Sequence, residues 1–132
     1  MKYLSVSELL FLHMRLIDIT GGAHGARDLT LLDAAAARPR ATYDAEELYP
    51  TVFDKAAALM HSLILNHAML DGNKRLGVAA AGLFLQRNGV RLTATNAALE
   101  SFTLSVAEGR VETPEIARWF AQNTMRLQGD EG

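Results

Sequence analysis

Apolar residues recur along the chain at helical spacing, and no stretch alternates long enough to make a half-buried strand. Val6, Leu9, Leu10, His13, Leu16 and Ile17 share one face of a first helix, which Ser5 or Ser7 can cap and Gly21-Gly22 ends. His13 on that stripe reads as a packed histidine. Gly25 to Asp28 is a turn, and a second helix runs from about Asp28 through Leu31, Leu32, Ala35 and Ala36 until Pro39 stops it. From Arg38 to Pro50 the helical period is lost, which predicts a surface loop or small hairpin.

Thr51-Val52-Phe53-Asp54 has the form of a capping box and opens a long helix. Phe53, Ala56, Ala57, Met60, Leu63 and Ile64 form one face, with His67 next in phase; Leu59 and Leu65 make the other side apolar too, so this helix is central. After an Asp71-Gly72 turn another helix carries Leu76, Ala79, Ala80, Leu83 and Phe84, its small residues Gly77, Ala81 and Gly82 allowing close approach, and Asn88-Gly89 ends it. Val90 to Thr93 is a short extended link. A further helix spans about Thr95 to Glu108, and Thr113-Pro114-Glu115, a capping hydroxyl, a proline at the first position and an acid, starts a last one anchored by Ile116, Trp119 and Phe120, with a polar tail after Leu127. The expectation is an all-α, compact bundle of about six helices with a short flap loop or hairpin, residues 1–132 forming a single domain.

Composition narrows the setting. With 132 residues, 49% of them hydrophobic, the chain can bury a core, and a formal charge of −2 gives no general attraction to nucleic acid. The absence of cysteine excludes a disulfide framework and a thiolate zinc site, which suits a reducing compartment. Ser5, Ser7, Glu8, His13 and Arg15 interrupt the N-terminal apolar residues, so no signal peptide is expected, and the uncharged run Ala56–Leu70 is too short to cross a bilayer. A cytoplasmic protein without membrane or direct nucleic-acid contact follows.

The stretch that composition does not explain is His67-Ala68-Met69-Leu70-Asp71-Gly72-Asn73-Lys74-Arg75, at the junction of two apolar helices. Polar groups are costly to bury, so their concentration there suggests a site. Gly72 before a helical run leaves backbone N–H groups free at a helix start, which binds anions, and Lys74 and Arg75 add charge beside it. The reading is a phosphate site faced by a histidine. Zinc is a poor fit, because His67 and Asp71, four apart, do not share one helix when Gly72 breaks the chain just after Asp71, and His61 lies six residues from His67. One carboxylate beside a phosphate is instead the usual way to hold Mg²⁺. A Walker loop fails, since no glycine stands five residues before Gly72 and Arg75 replaces the Ser/Thr; no nucleophile elbow is present either. The same string also suits two helix caps with solvated cations, and composition alone leaves that open.

The nine residues resemble the signature of the Fic/Doc family, HxFx[D/N][G/A]N[G/K]R, with Lys74 as in the death-on-curing branch. The likeness extends over most of the chain, through Gly25-Ala26-Arg27-Asp28 with Leu31-Leu32, Ala37-Arg38-Pro39, Asp44 to Pro50, Lys55-Ala56-Ala57, Phe84 to Gly89 and Ala107-Glu108-Gly109. It departs at Met69, where phenylalanine is usual, and at Val78, where nucleotide-transferring members carry a second arginine. Leu104 stands where self-inhibited members have a hydroxyl.

The resemblance implies a toxin transferring the γ-phosphate of ATP to a hydroxyl of a translation factor, elongation factor Tu. In that reading His67 is the general base, Asp71 holds Mg²⁺, and Gly72, Asn73, Lys74 and Arg75 bind the phosphates, Lys74 and Arg75 neutralising charge. The loop from Arg40 to Tyr49 aligns the target as an added strand. A separate antitoxin segment folds into a helix along a groove, the first helix and the Gly21–Arg27 turn being its expected walls. Two alternatives share the fold: transfer of AMP to a protein hydroxyl, and a non-enzymatic interaction protein whose motif has decayed.

Overall fold

In the computed structural model, described for residues 1–127, a helix buried on nearly every side organises the rest. This is α3, Val52–Leu65; Thr51 and Asp54 cap its start reciprocally, and Ala56, Ala57, Ala58, Leu59, Met60, Leu63 and Ile64 are all buried. Each fully buried large side chain contributes roughly 1.5–3 kcal/mol over its exposed state. Around it lie α1 (Val6–Thr20), α2 (Leu29–Ala37), α4 (Asn73–Arg87), α5 (Asn96–Ala107) and α6 (Thr113–Gln122). The expected all-α bundle is therefore the observed class, with six α-helices among the described residues. Helix α4 packs most extensively on α3, and α6 next. The α3–α4 approach is closest at Gly77, where an added Cβ would stand 2.6 Å from Ile64 Cγ1. Phe102 of α5 and Trp119 of α6 stack in parallel, ring centres 4.2 Å apart.

Ser5 with Glu8 caps α1, and Asp28 caps α2 by accepting from the N–H groups of Thr30 and Leu31. The polar stretch after α2 begins as a 3-10 turn, Arg38–Arg40, and continues as a hairpin of β1 (Thr42–Tyr43) and β2 (Glu46–Glu47). Asp44 and Ala45 both have positive φ, as a two-residue type I′ loop demands. A two-stranded hairpin is marginal alone. Here buried Lys55 holds Glu47 Oε1 at 2.8 Å and donates to the Pro39 carbonyl at 3.3 Å. Arg38 donates to the Tyr49 hydroxyl, to Nδ1 of His61, to the hydroxyls of Ser62 and Thr113, and to the Ala58 carbonyl.

Three expectations are corrected. The Val90–Thr93 link is a strand, β3 (Val90–Leu92), pairing antiparallel with β4 (Thr124–Arg126), because the chain after α6 returns to satisfy its backbone groups. Thr113 does not cap α6: Glu112 and Glu115 form that box, and the Thr113 hydroxyl is used by Arg38. His67 does not continue the α3 face, since the helix stops at Leu65 and His67 is exposed in a left-handed conformation. The polar tail beyond Leu127 lies outside the described residues. No helix among the described residues is long and apolar enough to cross a membrane.

Candidate active site

Between α3 and α4 the chain makes a short loop, residues 66–72, bounded by Asn66 as the C-cap and Gly72, at φ 74°, as the N-cap. His67 has φ 51°, a conformation that costs an L-residue about 1–2 kcal/mol. Such backbone persists only where neighbours hold it. The neighbour is the segment from Gly21 to Asp28. Ala26 and Met69 form an antiparallel bridge, the N–H groups of Arg27 and Asp28 both donate to the Ala68 carbonyl, and Leu70 N–H donates to the Gly25 carbonyl. The Arg27 side chain donates from Nε to the His67 carbonyl at 2.7 Å and from Nη2 to the Asn66 carbonyl at 3.1 Å.

The loop is braced from below as well. Asn73 turns its side chain back, accepting from Met69 N–H and donating to the Met69 carbonyl, both at 3.1 Å. His13, buried on α1, donates from Nε2 to the Asp71 carbonyl at 2.7 Å. That bond explains a histidine on an apolar stripe: it is satisfied in the core by the loop's own backbone. Gly72 is needed where it stands, since a Cβ there would meet Ile17 Cδ1 at 3.0 Å and the φ is left-handed.

Asp71 is exposed, and both its oxygens are engaged. Oδ2 accepts from Ala23 N–H at 3.2 Å and Oδ1 from Gly72 N–H at 2.8 Å. Those backbone donors, and then the Arg75 guanidinium at 3.6 Å, hold its carboxyl below the usual range, so it is ionised at neutral pH. Arg75 also donates to the Thr20 hydroxyl and to the Gly21 carbonyl at 3.0 Å, tying α4 to the end of α1. Lys74 is exposed and makes no ion pair or side-chain hydrogen bond among the described residues.

His67, Asp71, Gly72, Asn73, Lys74 and Arg75 line one cleft of about 520 Å³, closed by Ile64, Leu70 and Ala107. The six candidate residues are thus brought together. No side chain caps the start of α4 with a hydrogen bond, which leaves the first-turn N–H groups of Asn73, Lys74 and Arg75 for a ligand. The N–H of Gly72 is taken by Asp71. Among the described residues no three His, Asp or Glu side chains converge as a metal cage. Asp71 alone offers an ionised carboxylate whose oxygens each keep a lone pair, which fits a Mg²⁺ held chiefly by phosphates and water.

Against the other side of Lys74 and Arg75 runs a second cavity of about 510 Å³. It is an apolar groove between α1, α4 and α5, with Leu16, Val78, Ala79, Leu99, Thr103 and Leu104 in its walls. Val78 faces this groove and not the cleft. The Gly21–Arg27 turn lines neither, but its His24 and Gly25 join Leu10, Met14 and Asp18 of α1 around a third cavity of about 510 Å³, the walls expected from the sequence. Sequence reading missed the contributions of Thr20, Ala23 and Arg27, because Ala23 and Arg27 act wholly or partly through backbone and Thr20, though in phase with Leu16 and Ile17, is a hydroxyl at the helix end. The signal available was Gly21-Gly22 with Gly25, an irregular stretch whose glycine at 22 leaves room for Asp71: a Cβ there would stand 2.5 Å from Oδ2.

Comparison with known proteins agrees with this architecture. The chain is 57% identical over 74 residues to Toxin Doc of Mycolicibacterium smegmatis, covering 56% of this chain and 57% of that protein. It therefore aligns with little more than half the length of that relative. It is 31% identical over 117 residues to Protein kinase doc of Escherichia phage P1, covering 89% of this chain and 91% of that protein. Residues 3–85, from just before α1 to the last turn of α4, match the model of the Fic/DOC family, and with more than half its length so matched the chain belongs to that family.

Proposed function

We propose that this protein is a Doc-type toxin that transfers the γ-phosphate of ATP to a hydroxyl of a translation factor, elongation factor Tu by resemblance. The observation that carries the reading is the cleft itself: an exposed imidazole and an ionised carboxylate beside an uncapped helix start and an unpaired lysine. Phosphoryl transfer asks for positioning and charge neutralisation more than for covalent chemistry. His67 takes the proton of the attacking hydroxyl as a new O–P bond forms and the bond between the γ-phosphorus and its bridging oxygen breaks, releasing ADP. The N–H groups of Asn73, Lys74 and Arg75, the helix dipole and the Lys74 ammonium receive the phosphates. Asp71 would hold Mg²⁺, which when bound neutralises charge on the phosphate oxygens. Arg75, spent on Thr20, Gly21 and Asp71, acts more by fixing this frame than by reaching out.

Two points favour phosphate over AMP. The phage P1 relative, similar over nearly the whole chain, is named a protein kinase. Val78, where AMP-transferring members would place an arginine, lines the apolar groove outside the cleft. The hairpin Thr42–Glu47, exposed on both strands, is the candidate to receive the target as an added strand. An antitoxin segment would lay the apolar face of a helix into the groove between α1, α4 and α5, where it would touch Lys74 and Arg75.

The experiment is incubation with cell extract and ATP labelled at either the α or the γ position, with His67→Ala in parallel. A protein band labelled from γ only, and lost in His67→Ala by about 10²- to 10⁴-fold, is expected. Label from the α position would move the assignment to AMP transfer. ATP binding without any transfer would make the chain an interaction protein.

A further inference from the structure

We propose that Arg27 is a positioning residue for His67, fixing the backbone on which the imidazole stands. The two carbonyls it binds belong to the two peptide planes that flank the His67 Cα. The carbonyl of Asn66 lies in the plane before it, whose rotation is φ; that of His67 lies in the plane after it, whose rotation is ψ. A guanidinium is planar and rigid, so bonding Nε to one plane at 2.7 Å and Nη2 to the other at 3.1 Å fixes both dihedrals together. Among the described residues no other donor reaches either carbonyl. The conformation so fixed is the left-handed one, φ 51°, that a histidine would otherwise leave.

The guanidinium is delivered by backbone alone. The Ala26–Met69 bridge and the bonds from the N–H groups of Arg27 and Asp28 to Ala68 set its stem beside the loop whatever the side chain. Arg27 is exposed, so truncating it leaves the core intact. The same two bonds also cap the end of α3, and a residue that only caps would change stability without changing turnover.

This inference rests on His67 as the base, and the test keeps the two separable. Arg27→Ala and Arg27→Lys in the full chain are compared with wild type by the NMR Cα and ring resonances of His67. Steady-state transfer from γ-labelled ATP to purified elongation factor Tu is measured on the same proteins. Expected for Arg27→Ala are a His67 Cα shift leaving its left-handed value and a kcat lower by about 10- to 100-fold, the loss typical of a misplaced catalytic group. The KM for ATP should stay within about twofold, since the N–H donors and Lys74 are untouched. Arg27→Lys, a point charge without the fork, should recover only part of kcat.

Unmoved His67 resonances in Arg27→Ala would overturn the proposal, as would wild-type kcat despite moved resonances, or full recovery by lysine. A rise in the ATP KM matching the fall in kcat would also overturn it, placing Arg27 on the nucleotide instead. Should Arg27→Ala not fold, Arg27→Lys alone decides on the same two readouts. Wild type that labels no elongation factor Tu refutes the functional reading, and the resonances then decide the positioning by themselves.

Discussion

Asn73 is the site residue whose role the geometry assigns most sharply, and alanine in its place tests that assignment. Its side chain makes two hydrogen bonds to Met69, at 3.1 Å each, and Met69 is only 2% exposed. Removing the amide strands a backbone N–H and a carbonyl that water reaches poorly. At about 1 kcal/mol net per neutral hydrogen bond the loss is about 2 kcal/mol. Alanine's better helix propensity returns at most about 0.7 kcal/mol at this first helical position. The expected destabilisation is therefore roughly 1.3–2 kcal/mol, a fall in Tm of roughly 4–9 °C for a domain of this size. Thermal and urea denaturation measure it, and titration with ATP at a temperature where the variant is folded reports the site. Because the Asn73 backbone N–H remains, ATP affinity should fall only as far as the loop loosens. A variant as stable as wild type to within about 0.5 kcal/mol but unable to bind ATP would refute the reasoning, because the side chain would then contact nucleotide and not Met69.

Other expectations follow from the same packing. Gly77→Ala drives a Cβ to 2.6 Å from Ile64 Cγ1; an overpacking cost of about 1–3 kcal/mol exceeds the helix gain of about 1 kcal/mol, so chemical denaturation should show a net loss, smaller when Ile64 is also cut to alanine. Glu47→Ala, though on a half-exposed residue, should destabilise by about 1–3 kcal/mol and more than Lys55→Met, because it leaves a lysine 2% exposed without its carboxylate; equal melting curves for the two would contradict this. Burial, and then the Arg38 guanidinium, hold the His61 pKa below its ordinary value, so the unfolded chain protonates first. Stability should be full above about pH 6.5 and decline as pH falls through that value towards the folded pKa, a slope that His61→Asn should flatten in urea midpoints.

How much of this could be read from residues alone depends on whether the information was periodic. The helices of the core were legible because Leu63, Ile64, Leu76 and Phe84 repeat at helical spacing, and the cap at Thr51, with Ser5 as one of two candidates at the first helix, because capping is local chemistry. Strand β4 was not legible: three residues after α6 pair with β3 only because the fold brings residue 124 beside residue 92. The polar cluster stood out against its apolar flanks, yet its division of labour did not. That His13 serves the Asp71 carbonyl, across 58 positions, is a tertiary fact with no local trace.

The division of labour is the more instructive result. Of the six polar or glycine positions that mark the stretch, much is spent on building the site. Asn73 ties Met69, Gly72 gives its N–H to Asp71 and its missing Cβ to Ile17, and Arg75 spans Thr20, Gly21 and Asp71. What remains facing the cleft is the His67 ring, the outer lone pairs of Asp71, the Lys74 ammonium and three N–H groups of a helix start. That remainder is a set of charges and dipoles already pointed before any ligand arrives, which is where electrostatic catalysis gains most, since no reorganisation is required in the transition state. Lys74 and Arg75 line both the cleft and the neighbouring groove, Thr20 lies in the groove's wall, and Arg75 also reaches Asp71. Displacing the Arg75 guanidinium from Thr20 from the groove side would therefore alter the field at Asp71, because the same guanidinium stands beside that carboxylate.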